Sequence, residues 1–501
     1  MTYPIRFTLN GTPAETSCRA DMTVLEWLRG EAQLRGTKEG CAEGDCGACS
    51  VLVKRPGAGR VTGAPPPLGE VEFSDAELSS EMSQARYQAA NSCIMLMGQM
   101  EGTALVTVEG LAALNEENGH AVQNAMAENG SSQCGFCTPG IVVALTGLLD
   151  KDTAPDDAAI HDALAGNLCR CTGYRPIVEA AHAAAQNMAM SGAQYLPDGD
   201  GMEPEAQAGS EDSRAFLPRS LADLLALCSA HPDATLLAGG TDLALDVAHA
   251  RARWPKIILT RHVAELGGVE ESGTHLTFGG AVTWEEALPV LEKHWPSFAT
   301  LVRRFGSTQI RSMGTIAGNL ATASPIGDGA PALLALDTHL TLAGPGGERD
   351  VPLDEFFLDY RKSALKPVEV IKSIHVPIPP EDQHFRVYKL SKRYDQDIST
   401  VCGAFALKMD GDTITSVRVA FGGMAAVPKR CIEAEGALTG KPFSDSTIAA
   451  AKESISQAFQ PMSDMRGTAD YRALAAANLV ERLALDLAGE TVEVMALEAA
   501  E

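Results

Sequence analysis

Eight of the twelve cysteines in this chain fall into two sets of four, and both sets lie before residue 172. The sets are Cys41, Cys46, Cys49 and Cys93, then Cys134, Cys137, Cys169 and Cys171. Thiols crowded in this way form disulfides, bind zinc or hold an iron–sulfur centre. Two quartets are what two tetrathiolate sites require. The other four cysteines are scattered and are expected to be small apolar residues: Cys18, Cys228, Cys402 and Cys431.

The N-terminus argues against the disulfide alternative. Residues 3–9 alternate apolar and polar side chains and lead into Asn10-Gly11, which predicts a half-buried strand followed by a turn. This start lacks the apolar segment of a secretory signal peptide, and no run of eighteen apolar residues predicts a membrane span. We therefore expect a cytoplasmic protein that does not enter a membrane and whose thiols stay reduced.

The formal net charge of −25 limits the classes of partner. A chain this acidic repels the phosphates of nucleic acids and the surfaces of anionic lipids, so neither is an expected partner. Its 501 residues are too many for a single hydrophobic core, which predicts several domains.

The patterning of apolar residues divides the chain into five parts. Residues 1–86 predict a small α+β unit, and residues 87–190 predict a compact helical bundle. Residues 191–215 contain few large apolar side chains and many Gly, Pro and acidic residues, which predicts a linker. Residues 216–384 predict an α/β domain and residues 385–501 a C-terminal α+β domain. Within the first part, the Pro- and Gly-rich stretch 55–70 predicts a surface excursion.

The first cysteine set has the C-x4-C-x2-C spacing, with a distant fourth cysteine, that is typical of plant-type [2Fe–2S] ferredoxins. Three ligands must converge from one short loop, and Gly40, Gly44 and Gly47 let the backbone curl without side-chain bulk. Amide groups of such a loop can point at cluster sulfides and offset their negative charge. Zinc sites more often pair C-x2-C knuckles, so this spacing favours an iron–sulfur centre.

The second cysteine set combines C-x2-C with C-x-C, a pattern that also suits a zinc site or a redox pair. Thr138-Pro139 follows Cys137 directly and predicts a helix start, with Thr138 as its N-cap. A second helix is predicted to begin near Arg175-Pro176, just after Cys171. Two helix N-termini would then face the thiolates, which favours an anionic cluster without identifying its metal.

Four segments carry a family resemblance: GTKEGCAEGDCGACSVLV, LVTVEGL, QCGFCTPGIV and GNLCRCTGYRPI. Together they resemble the iron–sulfur half of the molybdenum hydroxylases, the group of xanthine dehydrogenase, aldehyde oxidase and carbon monoxide dehydrogenase. The resemblance covers residues 1 to about 190 and implies two [2Fe–2S] centres, one in a plant-type ferredoxin-like domain and one in a helical-bundle domain.

The resemblance also assigns individual residues. It implies that Cys93 is the fourth ligand of the first centre, although the 43 residues between Cys49 and Cys93 exceed the gap typical of the family. Gln133 matches a position that approaches the pterin of the molybdenum cofactor in a partner domain; the alternative is that Gln133 caps a helix end.

Two glycine-rich stretches mark the second half, LLAGGTDLAL at 236–245 and FGSTQIRSMGTIAGNLATASPIGD at 305–328. They predict backbone running close to a polar ligand, such as a diphosphate on the first loop. Neither is a Rossmann or P-loop motif, and a plain strand-to-helix turn explains the first stretch equally well.

Residues 216 to the end resemble the flavin-binding segment of xanthine dehydrogenases. This implies a two-lobed α/β FAD domain of the vanillyl-alcohol-oxidase type and a C-terminal α+β domain. The residues that the resemblance assigns to the diphosphate of FAD are Leu236, Ala238, Gly239, Gly240, Thr241 and Asp242. Those that it assigns to the flavin, ribityl and adenine parts are Phe305, Thr315, Gly318, Asn319, Thr322 and Asp328. Phe305 would lie against the flavin ring, or else be a core residue, while Lys389 would lie near the flavin and residues 394–397 on the nicotinamide side.

The order of two iron–sulfur domains and a flavin domain most resembles the xanthine dehydrogenase branch of the family. Nothing in the 501 residues resembles a molybdopterin-binding domain. We therefore expect an electron-transfer subunit that pairs with a large molybdopterin-binding subunit in a dimer of heterodimers. The partner is expected to oxidise hypoxanthine or xanthine at molybdenum, and the electrons to pass through the two iron–sulfur centres and FAD to NAD+. No residue for substrate hydroxylation is expected on this chain. The alternatives are a sister hydroxylase for another N-heterocycle or an aldehyde, a quinone or oxygen as acceptor, and a zinc-stabilised scaffold without redox function.

Overall fold

A computed structural model describes residues 3–55, 86–114, 119–191, 196–197 and 201–490 of the chain. The chain folds into two compact units. Unit 1 contains residues 1–269, 281–286 and 306–315. Unit 2 contains residues 270–280, 287–305 and 316–501.

Unit 1 begins with a five-stranded sheet whose spatial order is β2-β1-β5-β3-β4. Its strands are β1 (Ile5–Leu9), β2 (Thr12–Thr16), β3 (Ser50–Lys54), β4 (Gln88–Asn91) and β5 (Ala104–Val106). The helix Val24–Gly30 starts at Thr23, whose side chain accepts a hydrogen bond from the Glu26 amide. The predicted domain boundary at residue 86 is wrong, because β4 and β5 follow it and belong to the same sheet. Residues 56–70 of the predicted excursion lie outside the described residues.

The helical prediction for the next part is confirmed beyond residue 107. The helices are Val108–Ala113, Ala121–Glu128, Thr138–Leu149, Asp157–Leu164 and Arg175–Ser191. Ile141, Leu145 and Ile177 are buried in their common core. The helix that starts at Thr138 is capped by Cys137 and not by Thr138, because Thr138 already lies in its first turn with Pro139. The cysteine is therefore itself the residue at the helix terminus.

The third part of unit 1 is a four-stranded sheet of order β6-β7-β9-β8. Its strands are β6 (Gln207–Gly209), β7 (Arg214–Phe216), β8 (Thr235–Leu237) and β9 (Lys256–Leu259), with helices Leu221–Ala230 and Ala244–Ala248 beside them. The prediction that 191–215 is entirely linker is wrong, because β6 and β7 start within it. Ala208 and Ala215 are fully buried in a core shared with Ile5 and Leu96. The linker prediction rests on the scarcity of large apolar side chains, and buried alanines are not counted among those.

The remaining elements lie mostly in unit 2, which contains two further antiparallel sheets. The first, of order β10-β11-β16-β12-β13, is built from β10 (Val269–Glu271), β11 (His275–Gly279), β12 (His339–Gly344), β13 (Gly347–Pro352) and β16 (Val370–Pro377). The second is a meander of β17 (Gln383–Leu390), β18 (Val401–Asp410), β19 (Thr413–Gly422) and β20 (Lys429–Arg430). The hairpin between the sheets is β14 (Phe357–Asp359) and β15 (Lys362–Ser363).

The helices of this part form two groups along the chain, one before the meander and one after it. Those between residues 284 and 356 are Trp284–His294, Pro296–Phe305, Thr308–Arg311, Ile316–Ala321, Gly329–Ala335 and Leu353–Phe356. The C-terminal helices Ile432–Leu438, Asp445–Ala458 and Ala469–Leu487 pack on the meander through Ala434, Ile455 and Leu479. The predicted multidomain α+β fold with a two-part flavin domain is confirmed. Among the described residues, no helix is both long and apolar enough to cross a membrane.

Candidate functional site

The first cysteine loop is curled so that backbone amides face sulfur. The amides of Glu43 and Cys46 donate to the Cys41 Sγ at 3.4 and 3.3 Å, and the Cys41 amide donates to the Cys46 Sγ at 3.4 Å. Positive φ angles of 81° at Gly44 and 65° at Gly47 produce this curl. The loop therefore has the amide nest that stabilises bound anions.

The four thiols of the first set are arranged as two pairs. Cys41 and Cys46 share hydrogen bonds, and the Cys49 Sγ lies 3.2 Å from the Cys93 Sγ. The hydrogen bond from the Cys46 thiol lowers the pKa of Cys41 to about 5, and that from Cys93 lowers the pKa of the buried Cys49. Each pair therefore offers one thiolate readily, and thiolates are the form that binds metal.

The second set also forms two pairs. The Cys171 thiol is a hydrogen-bond partner of Cys134, and Cys169 is a partner of Cys137. Cys134 and Cys171 are exposed, whereas Cys169 is buried. The amide of Phe136 and the thiol of Cys171 lower the pKa of Cys134, while burial raises the pKa of Cys137 to about 12.

Two features organise the second set. Cys137 occupies the N-cap position of the helix Thr138–Leu149, at the positive end of the helix dipole, and its side chain makes no capping hydrogen bond. The Tyr174 hydroxyl accepts from the Cys169 amide at 2.7 Å and donates to the Asn167 carbonyl at 3.0 Å. The Thr172 hydroxyl lies 3.1 Å from the Cys169 Sγ. The side chains around Cys169 therefore fix its position before any metal is bound.

The pairwise arrangement fits a centre with two metal ions. A [2Fe–2S] centre has two irons that share four cysteines, whereas a zinc ion takes its ligands around one point. Two adjacent thiols on each side fit a binuclear centre in both sets. Gln133, which the resemblance places towards a pterin, is exposed next to Cys134.

The flavin residues predicted in unit 1 lie around a tight backbone contact. The loop after β8 turns at Gly240, whose φ is +83°. A Cβ on Gly239 would overlap the Met313 carbonyl oxygen, so only glycine allows the loop to lie on segment 306–315. Gly314 approaches Thr241, and Thr315 pairs with Thr283 in an isolated bridge. The structure thus brings the two glycine-rich stretches together within unit 1.

The remaining residues of the first loop are accessible. Leu236 and Thr241 are half-buried and Asp242 is exposed, while Ala238 and Gly239 line a small pocket together with Arg55 and Arg261. A loop of bare backbone beside two guanidinium groups suits a diphosphate.

The flavin residues predicted in unit 2 contain buried polar atoms that lack partners. The Lys389 Nζ lies 2.6 Å from the Asp328 Oδ2 and 2.8 Å from the Ser399 hydroxyl. The other oxygen of Asp328 and the side-chain oxygen of Asn319 are buried without a hydrogen bond to the described residues. Buried acceptors of this kind require a donor, and the N–H and hydroxyl groups of a flavin nucleotide would supply one.

The other flavin residues predicted in unit 2 are positioned more loosely. Phe305, Gly318 and Thr322 are half-buried, and the Thr322 hydroxyl donates to the Asn319 carbonyl at 2.8 Å. In the segment 394–397, the Arg304 guanidinium lies 4.4 Å from the centre of the exposed Tyr394 ring. Their roles toward FAD and NAD+ stay predictions.

Sequence patterns did not identify three buried polar residues of unit 1. Asn167 and Gln309 form a hydrogen bond of 2.8 Å between their side chains. Arg311 is fully buried and pairs with Asp162 at 2.6 Å and with Glu285 at 2.9 Å. Gln309 and Arg311 belong to the predicted glycine-rich stretch and Asn167 to the GNLCRC segment, but only the fold shows that they meet.

Four protein families match consecutive parts of the chain. Residues 7–97 match a family described as a 2Fe-2S iron-sulfur cluster binding domain, and residues 107–182 match a [2Fe-2S] binding domain. Residues 211–379 match an FAD binding domain in molybdopterin dehydrogenase. Residues 386–487 match a CO dehydrogenase flavoprotein C-terminal domain. Two iron–sulfur domains and a flavin domain are thereby confirmed.

Curated relatives and solved structures agree with these matches. The chain is 32% identical to the xanthine dehydrogenase of Emericella nidulans over 88% of its own length, and 29% identical to the xanthine dehydrogenase/oxidase of Gallus gallus. It covers only 35% and 37% of those relatives. A carbon monoxide dehydrogenase chain from Hydrogenophaga pseudoflava is 30% identical with a TM-score of 0.52, over 54% of this chain and 94% of that one. A quinoline 2-oxidoreductase chain from Pseudomonas putida 86 is 26% identical with a TM-score of 0.51, over 54% and 95%.

Proposed function

Because this chain belongs to the molybdenum hydroxylases, as an iron–sulfur and FAD subunit that transfers electrons, we propose that it serves a xanthine dehydrogenase. The observation that carries the proposal is the succession of two cysteine sets, each arranged as two thiol pairs, and a flavin domain on one chain. The 32% identity to a xanthine dehydrogenase across all three kinds of domain supports this branch of the family.

The proposed task follows from the chemistry of the cofactors. Iron–sulfur centres carry single electrons, and a flavin accepts them one at a time and returns two as a hydride, for which we propose NAD+ as acceptor. The amides of Glu43 and Cys46 stabilise thiolate charge at the first set, and the Phe136 amide and the Thr172 hydroxyl do so at the second. The buried ion pair between Lys389 and Asp328 lies where the flavin is proposed to bind.

We propose that oxidation of hypoxanthine or xanthine takes place at molybdenum on a large molybdopterin-binding partner subunit, in a dimer of heterodimers. The relatives that match this chain are about three times its length, and most of their sequence has no counterpart here. No residue of the chain is assigned to substrate hydroxylation.

A second candidate is the same role in a hydroxylase for another N-heterocycle. The similarity to the quinoline 2-oxidoreductase chain favours it, since that chain is matched over 95% of its length. The acceptor could then be a quinone or oxygen in place of NAD+.

The proposal is tested by isolating the native complex through a tag on this chain. We expect a molybdenum-containing partner to co-purify, and xanthine to reduce NAD+ in the purified complex. Turnover of quinoline or an aldehyde without turnover of xanthine would establish the second candidate. Turnover of xanthine with a quinone or oxygen, but not with NAD+, would overturn the acceptor alone. A colourless chain that contains zinc would overturn both candidates.

A further inference from the structure

The loops that carry the two cysteine sets meet backbone to backbone within unit 1. The Leu168 amide donates a hydrogen bond of 2.9 Å to the Cys46 carbonyl. A Cβ on Gly47 would overlap the Gly166 carbonyl oxygen, and a Cβ on Gly140 would overlap the Gly47 carbonyl oxygen. No side chain therefore separates the main chains of the two loops at this point.

This contact joins one cysteine of each set by a short chain of bonds. Cys46 belongs to the first set, and Leu168 directly precedes Cys169 of the second. The connection from one sulfur to the other consists of the Cys46 side chain and carbonyl, one hydrogen bond, the backbone of Leu168 and the backbone and side chain of Cys169. Electrons tunnel more readily along bonds and hydrogen bonds than across empty gaps, so the length of this hydrogen bond matters.

Two buried amide side chains fix the contact. The Asn167 Nδ2 donates to the Gly47 carbonyl at 3.1 Å, and the Gln309 Nε2 donates to the Asn167 Oδ1 at 2.8 Å. Asn167 is 1% exposed and Gln309 is 0% exposed. A buried amide that loses its hydrogen-bond partner raises the free energy of the folded chain. Separation of the two loops would break these hydrogen bonds, so the amide pair opposes it.

Gln309 is held in turn by its own segment. It lies on the short helix Thr308–Arg311, and Arg311 pairs with Asp162 of the helical domain and with Glu285. Gly166 lies so close to the Gln309 side chain that a Cβ on Gly166 would overlap the Gln309 Oε1. The amide pair is therefore supported from the side opposite to the cysteine loops.

We propose that Asn167 and Gln309 are positioning residues for electron transfer between the two iron–sulfur centres, because they hold the Leu168 amide on the Cys46 carbonyl. The inference rests on the two [2Fe–2S] centres of the proposed function. In the step, one electron leaves one centre, where one iron is oxidised, and reaches the other, where one iron is reduced. No bond forms or breaks, and both residues keep their protons.

The test compares Gln309→Met, which keeps the side-chain length and removes the amide, with the iron-loaded wild-type chain. Gln123→Met is the control, since the Gln123 side chain also donates to a carbonyl, that of Val108 at 3.3 Å, which belongs to neither cysteine loop. Four quantities are measured on anaerobic protein. Two are the iron content and the magnetic interaction between the two reduced centres, by electron paramagnetic resonance. The others are the hydrogen–deuterium exchange of a peptide that contains Leu168 and the rate of electron redistribution after rapid one-electron reduction.

We expect Gln309→Met to retain its iron, to exchange the Leu168 amide faster and to show a weaker magnetic interaction. Redistribution should be slower than in the wild type, because electron tunnelling falls off steeply when the hydrogen bond between Leu168 and Cys46 lengthens or breaks. Gln123→Met should match the wild type in all four measurements. Unchanged exchange, interaction and rate in iron-loaded Gln309→Met would overturn the inference while leaving the proposed function intact.

A second variant covers the case in which Gln309→Met does not assemble its centres. Gln309→Asn keeps the amide but shortens its reach, so we expect it to load iron and to show the same changes in smaller degree. Wild-type behaviour of iron-loaded Gln309→Asn would then overturn the inference. Zinc in place of iron in the wild-type chain would overturn the proposed function itself, which distinguishes the two failures.

Discussion

The two cysteine sets have the same ligands but opposite surroundings. Cys49 and Cys93 of the first set are buried, and a curled loop covers the other pair with amides. In the second set Cys134 and Cys171 are exposed, next to Phe136 with 45% and Leu168 with 62% of their surface accessible. Because burial and hydrogen bonds to sulfur set the potential of an iron–sulfur centre, the same four thiols can serve two different steps. We expect the exposed centre to exchange electrons with a partner and the covered centre to exchange them within the chain.

The largest effect is expected from Gly47→Ala. The added Cβ would overlap the Gly166 carbonyl oxygen, and the φ of +65° is unfavourable for alanine. We expect the first centre to be lost, measured as a fall of about half in iron and sulfide per chain. Gly30→Ala is the matched control, since a Cβ at Gly30 meets nothing within 4 Å. Full iron content in Gly47→Ala would show that the loops do not pack as described.

The next largest effect is a difference in stability between serine variants of the buried and the exposed cysteines. Cys93→Ser and Cys171→Ser should each lose about half of the iron, because each removes one ligand of one centre. In the iron-free chain, the serine hydroxyl at position 93 should lower the free energy of unfolding by about 1–3 kcal/mol, since Cys93 is 3% exposed. At the exposed position 171 the change should stay within about 0.5 kcal/mol. Equal destabilisation in urea unfolding would contradict the difference in burial.

A smaller effect concerns the potential of the second centre alone. Thr172→Val removes the hydroxyl that lies 3.1 Å from the Cys169 Sγ. A hydrogen bond to sulfur stabilises the more negative reduced state, so its loss should lower the midpoint potential by roughly tens of millivolts. Potentiometric titration followed by electron paramagnetic resonance should show the first centre unchanged. A shift of both centres by the same amount would contradict a local effect.

The smallest effect is a difference in pH dependence among thiols of the iron-free chain. The pKa of Cys41 is lowered to about 5, so its thiolate is already formed at pH 7 and its alkylation rate should stay flat up to pH 9. The pKa of Cys137 is raised to about 12, so its rate should rise about tenfold per pH unit over the same range. Mass spectrometry of iodoacetamide-treated protein measures both rates. A rising rate at Cys41 would show that the loop does not stabilise its thiolate without metal.

The sequence predicts the local chemistry of this molecule better than its long-range packing. Cysteine spacing and loop glycines are local signals, so the two cysteine sets and the helix at Thr138 could be predicted. The end of the first domain could not, because β5 joins the sheet by pairing with the distant β1 and β3. The strands within 191–215 escaped prediction because Ala208 fills their core where large side chains are absent. The contact between Asn167 and Gln309 spans 142 positions, and no local pattern reports such a contact.

Metal and sulfide analysis of the chain purified without air shows whether the eight cysteines hold two binuclear iron centres. We expect about four iron and about four acid-labile sulfide per chain, two of each for either cysteine set. Two zinc ions without sulfide, or iron and sulfide far below four, would contradict this expectation.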